Sequence, residues 1–222
     1  MEGYEVIFAG SNFIRLLSGL WVTVRISLIS IGFSLIFGFI VGIAMTGRSP
    51  LIKALCRVYL EIVRMIPQLV WLFIMYFGVT RMTGLNLSGE AASVIVFTIW
   101  GAAETADLVR SAFQSVPVHQ FESGRALGLS QFQLYFFVIL PQAVKNLFPN
   151  IINLATRMIK TTALISLIGV TEVLKVGKQV IDANRYDAPD AALWVYGAIF
   201  LMYFAVCFPL SLLSRRLTER KE

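Results

Sequence analysis

The 222-residue chain is 57% hydrophobic and 14% charged, with a net charge of +6, whereas soluble domains carry about a quarter charged residues. That balance excludes an ordinary soluble domain and points to one integral membrane domain over 1–222. The cations are scattered and loop-biased, which sets aside a nucleic-acid partner. Cys56 and Cys207 lie in or beside apolar runs without metal-like spacing, so they read as buried free thiols, with neither a disulfide framework nor a zinc site.

Glu2 and Glu5 stand where a secretory signal needs basic residues, so the first apolar run predicts an uncleaved anchor. Five runs have the roughly 20 apolar residues that a bilayer crossing needs: 20–45, 55–79, 91–113, 149–170 and 193–213. The predicted fold class is all-α and integral to the membrane, with five transmembrane helices and the termini on opposite sides. With the C-terminus inside, Arg48, Lys53, Arg57, Arg110, Arg125, Lys145, Arg215, Arg216, Arg220 and Lys221 are cytoplasmic. Only Arg15, Arg81, Lys175, Lys178 and Arg185 lie outside, the last three offset by Glu172, Asp182, Asp187 and Asp190. The excess of inner cations predicts an N-out, C-in topology. In the first span Ser34, Gly38, Gly42 and Thr46 recur at every fourth position, a stripe that lets helices approach closely and that reads as packing within one bundle. Arg25, also in that span, is placed to snorkel outward.

Between spans three and four, the loop 114–147 contains QFESGRALGLSQFQLYFFVILPQA. Pro117 suits the first turn of a short helix through Leu127, and Gly128 suits its left-handed C-cap. Ser130 with Gln133 matches a capping box that opens a second helix, which Pro141 is expected to end or kink. Phe132, Tyr135, Phe136 and Ile139 are too apolar to face water, so the knob requires a cover: the underside of the bundle, or a partner. His119 reads as a surface residue of this knob, since one imidazole without clustered partners is neither a metal site nor a proton relay.

Glu122-Ser123-Gly124-xxx-Gly128, nine residues, then Val138-x-Leu140-Pro141 resembles the EAA loop of ATP-binding cassette (ABC) importer permeases, E-A-A-x-x-x-G, nine residues, I-x-L-P. Ser123 and Gly124 replace the two alanines and Val138 the isoleucine. Arg64-Met-Ile-Pro67-Gln68 with the following apolar run is similar to the second span of the polar amino acid permeases, and Asp107-Leu-Val-Arg110, Ala126-Leu-Gly-Leu-Ser130 and Lys160-Thr-Thr-Ala-Leu-Ile-Ser-Leu-Ile-Gly169 resemble the same family. The resemblance implies a type I ABC importer permease fold with cytoplasmic coupling helices. It also implies that the loop docks into a cleft on a separate ATPase subunit through Glu122, Ser123, Gly124, Ala126, Gly128, Leu140 and Pro141, with the aromatic second helix anchoring the knob to the bundle. ATP and Mg belong to that ATPase. This chain has no G-x-x-x-x-G-K-[ST] of its own and no catalytic residue is assigned.

Charges within a bilayer cost about 2.5 kcal/mol or more each, which makes them functional candidates. Arg64, Glu104 and Lys160 fall at similar predicted depths, and Glu61/Arg64, Glu104/Asp107 and Arg157/Lys160 are i, i+3 pairs on their helices. A polar seam through three helices follows, suited to a zwitterionic ligand. Arg64 or Lys160 would meet its carboxylate, with Thr161, Thr162 and Ser166 as hydroxyl donors and Pro67 and Gln68 along the path. Glu104 replaces a tyrosine usual in the family and is a candidate for the ligand's amino group or a cationic side chain. The competing reading is that these charges pair with one another to hold the bundle.

The reading that results is the permease subunit of an amino acid importer in a bacterial inner membrane. Its expected partners are ABC ATPase subunits, a second permease copy or paralogue, an external substrate-binding protein, the amino acid and membrane lipid. The alternative is an ion- or proton-coupled secondary transporter using Glu104 and Asp107.

Overall fold

The computed structural model describes residues 2–47 and 49–219. Among these the secondary structure is helical throughout, without strands. Arg48, Arg220 and Lys221, counted above among the inner cations, lie outside the described residues. The helices are α1 (Glu5–Phe8), α2 (Asn12–Thr46), α3 (Pro50–Met65), α4 (Gln68–Thr83), α5 (Gly89–Gln114), α6 (Val118–Ala126), α7 (Gln131–Ile168), α8 (Val173–Ala183) and α9 (Ala191–Glu219). Four of them, α2, α5, α7 and α9, are long and apolar enough to cross a membrane, and the bent pair α3 and α4, counted as one span, makes five.

The second span is the one that departs most from a straight rod. Ser49 caps α3 by accepting from Ile52 N at 3.5 Å, and Pro50 opens its first turn. The helix then stops at Ile66 (φ −82°, ψ 127°), because a residue before proline is pushed out of the helical region, and α4 restarts after Pro67.

Span four also differs from its expected limits. The chain does not end at Pro141; a π-turn over Leu134–Ile139 leads directly into Leu140–Thr161, so that Pro141 lies inside the continuous helix, immediately after the widened turn. The helix runs on through Pro149 and tightens into a 3₁₀ segment, Thr162–Ile168, closed by Gly169 at φ 95°.

The described residues form two compact units, one drawn from Met1–Ile31, Pro67–Phe97 and Ala155–Leu210, the other from Gly32–Ile66, Thr98–Leu154 and Ser211–Glu222. The first is built around α8, an amphipathic helix in the stretch read from sequence as an outer loop. Its Val173, Val176 and Val180 pack with Val6, Leu16, Val195 and Ile199, all buried. Gly19 of α2 permits this approach, since a Cβ there would meet Val173 Cα at 2.8 Å. In the second unit the small-residue stripe does what packing within one bundle requires. A Cβ on Gly38 would collide with Thr105 and with Ala102 O at 2.7 Å, one on Gly42 would meet Val109, and Ser34 Oγ donates to Thr98 O at 3.3 Å. The stripe of α2 therefore lies against Ala102, Thr105 and Val109 of α5.

Candidate functional site

The α6–α7 knob lies wholly within the second unit and follows its local sequence rules. After Ala126 the chain turns at Gly128 (φ 75°), where Gly128 N donates to Arg125 O at 3.0 Å and Leu129 N to Gly124 O at 3.1 Å, a Schellman closure. Ser130 and Gln133 form the capping box, each side chain accepting from the other's backbone N–H at 3.2 and 2.9 Å. Gly124 is buried, and a Cβ there would strike Leu134 Cδ1. Glycine at this position lets α6 lie against the start of α7. Leu140 and Pro141 continue that helix.

Glu122, Ser123 and Ala126 are exposed, as are Leu127 and Val118. Of the apolar residues expected to anchor the knob, only Ile139 is buried; Phe132 is 70% exposed, with Tyr135, Phe136 and Phe137 also exposed. The buried place is taken by Leu134, because the i→i+5 turn brings residues five apart, Leu134 and Ile139, onto one side. His119 is exposed, 3.2 Å from the Gln120 amide.

A second feature of the same unit is ionic. Arg64 Nε donates to Glu104 Oε1 at 2.7 Å and Arg64 Nη1 to Asp107 Oδ2 at 3.1 Å. Asp107 Oδ1 accepts from Arg110 Nη2 at 2.6 Å, and Arg110 reaches Gln114 Oε1 at 2.8 Å. The sequence reading grouped Arg64 with Glu61 and Glu104 with Asp107 along their own helices. In the structure Arg64 bridges α3 and α5 and holds both acids at once. Beside this chain opens a cavity of about 370 Å³ lined by Met45, Arg57, Leu60, Glu61, Arg64, Met65, Asp107 and Arg110. From sequence, Arg57 and Arg110 read as inner cations and Glu61 as the i, i+3 partner of Arg64; the signal that marks one polar face of α3 is the i, i+4, i+7 spacing of Arg57, Glu61 and Arg64.

Lys160, Thr161, Thr162 and Ser166 belong to the first unit, as do Pro67 and Gln68. The three hydroxyls donate within their own helix, Thr161 to Arg157 O at 2.9 Å, Thr162 to Ile159 O at 2.6 Å and Ser166 to Ala163 O at 2.7 Å. Arg25, expected to snorkel, pairs with Glu90 at 2.6 Å. Glu172, read as an outer-loop charge, is fully buried and caps α8, accepting from Leu174 N at 2.9 Å and Lys175 N at 2.8 Å, with Thr23 Oγ1 at 3.5 Å. Burial raises its carboxyl above the usual range, against the pull of those donors. Cys56 and Cys207 are free and half-buried, and among the described residues no cluster of three His, Cys, Asp or Glu side chains could hold a metal ion.

Residues 34–222 match the family of binding-protein-dependent transport system inner membrane components. The chain is 32% identical over 203 residues to a probable glutamine ABC transporter permease of Bacillus subtilis (91% of this chain, 92% of the relative). It is 34% identical over 202 residues to a probable amino-acid ABC transporter permease of Sinorhizobium fredii (89% and 83%). Among solved structures, an amino acid ABC transporter crystallised with histidines superposes with a TM-score of 0.86 at 26% identity, covering 96% of each chain. An inward-facing methionine ABC transporter shares the fold, with a TM-score of 0.72 at 20% identity and coverage of 94% and 99%. The chain belongs to the family of binding-protein-dependent transport system inner membrane components and is a multi-pass inner-membrane protein.

Proposed function

We propose that this inner-membrane component is the permease subunit of an ABC importer for amino acids, oriented N-out and C-in, and that it takes its energy from separate ATPase subunits through the α6–α7 knob. The observation that carries the reading is the knob itself. A rigidly closed helix-turn-helix leaves Glu122, Ser123, Ala126 and Leu127 uncovered, on a loop that the inner-cation excess assigns to the cytoplasm. A docking face needs its backbone fixed and its side chains free, and this segment has both. Gly124 and Gly128 set the turn, and Leu140 and Pro141 pass any movement of the knob directly into span four, because α7 is continuous from one to the other.

ATP and Mg then act on the partner ATPase, and hydrolysis is no task of this chain. A substrate-binding protein delivers the amino acid from outside, and a second permease copy or a paralogue completes the pathway. Along it lie Arg64, Pro67, Gln68, Glu104, Asp107, Lys160, Thr161, Thr162 and Ser166. The relatives named for glutamine and amino acids support this substrate class.

The test is uptake of labelled amino acids into proteoliposomes that contain the chain, its ATPase and its binding protein, comparing wild type with Glu122→Ala. Uptake that requires ATP and all three components, and that falls in the variant, is the expected result. Uptake driven by an imposed proton gradient without ATP would replace this reading with secondary transport through Glu104 and Asp107.

A further inference from the structure

We propose that Arg57 and Glu61 are the ligand clamp of the cavity between α3 and α5, and that this clamp takes an amino acid whose side chain is uncharged; the inference rests on the importer reading above. It follows from charge accounting inside the cavity. Among the described residues, six ionic side chains line or adjoin it: Arg57, Glu61, Arg64, Glu104, Asp107 and Arg110. Four of them are spent on each other, in the order Glu104, Arg64, Asp107, Arg110, joined by contacts of 2.7, 3.1 and 2.6 Å. Two cations and two anions cancel, through two contacts from α3 to α5 and one along α5. Arg57 and Glu61 remain, and neither makes an ion pair with another described residue.

These two stand one helical turn apart on α3, with Cβ atoms about 5–6 Å from each other. Both project into the same space of about 370 Å³. One free guanidinium and one free carboxylate at that separation match the carboxylate and the ammonium of an α-amino acid, which lie on neighbouring atoms of one small molecule. Binding leaves the whole lining neutral. A ligand with a further positive group would find Glu104 and Asp107 already engaged, and one with a further negative group would find Arg64 and Arg110 engaged. Either would leave a charge without a counter-charge in a partly enclosed site. Met45, Leu60 and Met65 supply the rest of the wall, and methionine side chains adapt to uncharged groups of varied shape. In this arrangement Arg64 is a positioning residue: it ties α3 to α5 and so fixes the face that carries Arg57 and Glu61.

The test measures equilibrium binding to the purified permease–ATPase complex in nanodiscs, without the external binding protein, so that the affinity read belongs to the permease. The probes are labelled glutamine, arginine and glutamate, which differ chiefly in side-chain charge. Glutamine is expected to bind at least about tenfold more tightly than the other two, and Arg57→Gln and Glu61→Gln each to weaken it by about tenfold or more, as the loss of a charged hydrogen-bond partner does. Both side chains are exposed, so both variants are expected to keep the wild-type melting temperature. Tighter binding of arginine than of glutamine, unchanged glutamine affinity in both variants, or no binding of any probe to the wild type would overturn the clamp. ATP-dependent uptake by the wild type, measured separately with the binding protein, distinguishes the two levels. Uptake with unaltered binding in the variants removes the clamp and leaves the importer, whereas no uptake of any amino acid removes the importer itself.

Discussion

Gly124 and Leu134 are in such close register that the space for a Cβ on the first is already filled by Cδ1 of the second. The atom in the way is the end of a flexible side chain, so the first methyl group can be accommodated and larger ones cannot. Gly124→Ala, the residue usual in the EAA pattern, is expected to shift the melting temperature only slightly. Gly124→Val should cost about 1–3 kcal/mol through overpacking and displace α6, lowering co-purification of the ATPase. Thermal unfolding of the detergent-solubilised chain and pull-down of the ATPase check the two effects separately.

The stripe on α2 supports a sharper contrast, because what blocks it includes backbone. A side chain at Gly38 would meet Ala102 O at 2.7 Å as well as Thr105, whereas nothing lies within 4 Å of a Cβ at Gly32. Gly38→Leu is expected to drive α2 and α5 apart and to abolish accumulation of folded protein in membranes. Gly32→Ala should be neutral or slightly stabilising, since alanine is favoured over glycine in a helix interior by about 1 kcal/mol. Fluorescence-detected gel filtration of the two variants checks the ordering; equal behaviour would mean that the stripe is not a packing seam.

The features legible in the sequence were those that local rules or hydropathy govern. Gly128 as a left-handed cap, the Ser130–Gln133 capping box and the existence of the apolar spans needed no tertiary information. Three things needed it. The break at Ile66–Pro67 leaves mean hydropathy untouched, although the proline rule marks the place. Helix α8 carries Lys175, Lys178 and Asp182 and so reads as a charged loop, yet its Val173, Val176 and Val180 keep helical spacing and are buried. The partners of Arg64 lie on another helix, and a register argument along one helix names only residues on that helix. The residues proposed for coupling form one linear motif, so the sequence names them together. The candidate pathway residues come from several helices, and their mutual placement is a tertiary property.

The link from α3 to α5 can be weighed by a double-mutant cycle. Glu104 is nearly buried, with a side chain 11% exposed, while Arg64 is 38% exposed and keeps Asp107 when Glu104 is lost. Breaking a fully buried pair costs about 3–5 kcal/mol, so Glu104→Gln here should cost less, about 1–2 kcal/mol. Arg64→Gln should cost more, because it removes one cation from Glu104 and Asp107 at once, although Asp107 keeps Arg110. The pair is expected to show a coupling energy within the range of about 0.5–3 kcal/mol found for contacting residues, read from urea or thermal unfolding in detergent. A coupling near zero would mean that the contact is not maintained in solution.

Glu172 gives a pH dependence whose sign can be worked out in advance. Its folded carboxyl is raised above the ordinary glutamate value, with burial as the largest cause, while the N–H groups of Leu174 and Lys175, the Thr23 hydroxyl and the Lys175 charge pull the other way. An unfolded glutamate titrates near 4.3. A group with a raised folded value contributes stability that is fully present below the unfolded value and is lost as pH rises through the folded one. The wild-type chain should therefore lose part of its stability as pH climbs from about 4 through that raised value. In Glu172→Gln the amide oxygen can still accept from the helix N-terminus but nothing titrates, so this component of the pH slope should vanish. In Glu172→Ala the cap itself is lost, at about 1 kcal/mol, at every pH. Melting temperatures of the three proteins across this range check the prediction: parallel wild-type and Glu172→Gln curves would mean that the buried carboxyl keeps its ordinary value, held there by the donors of α8.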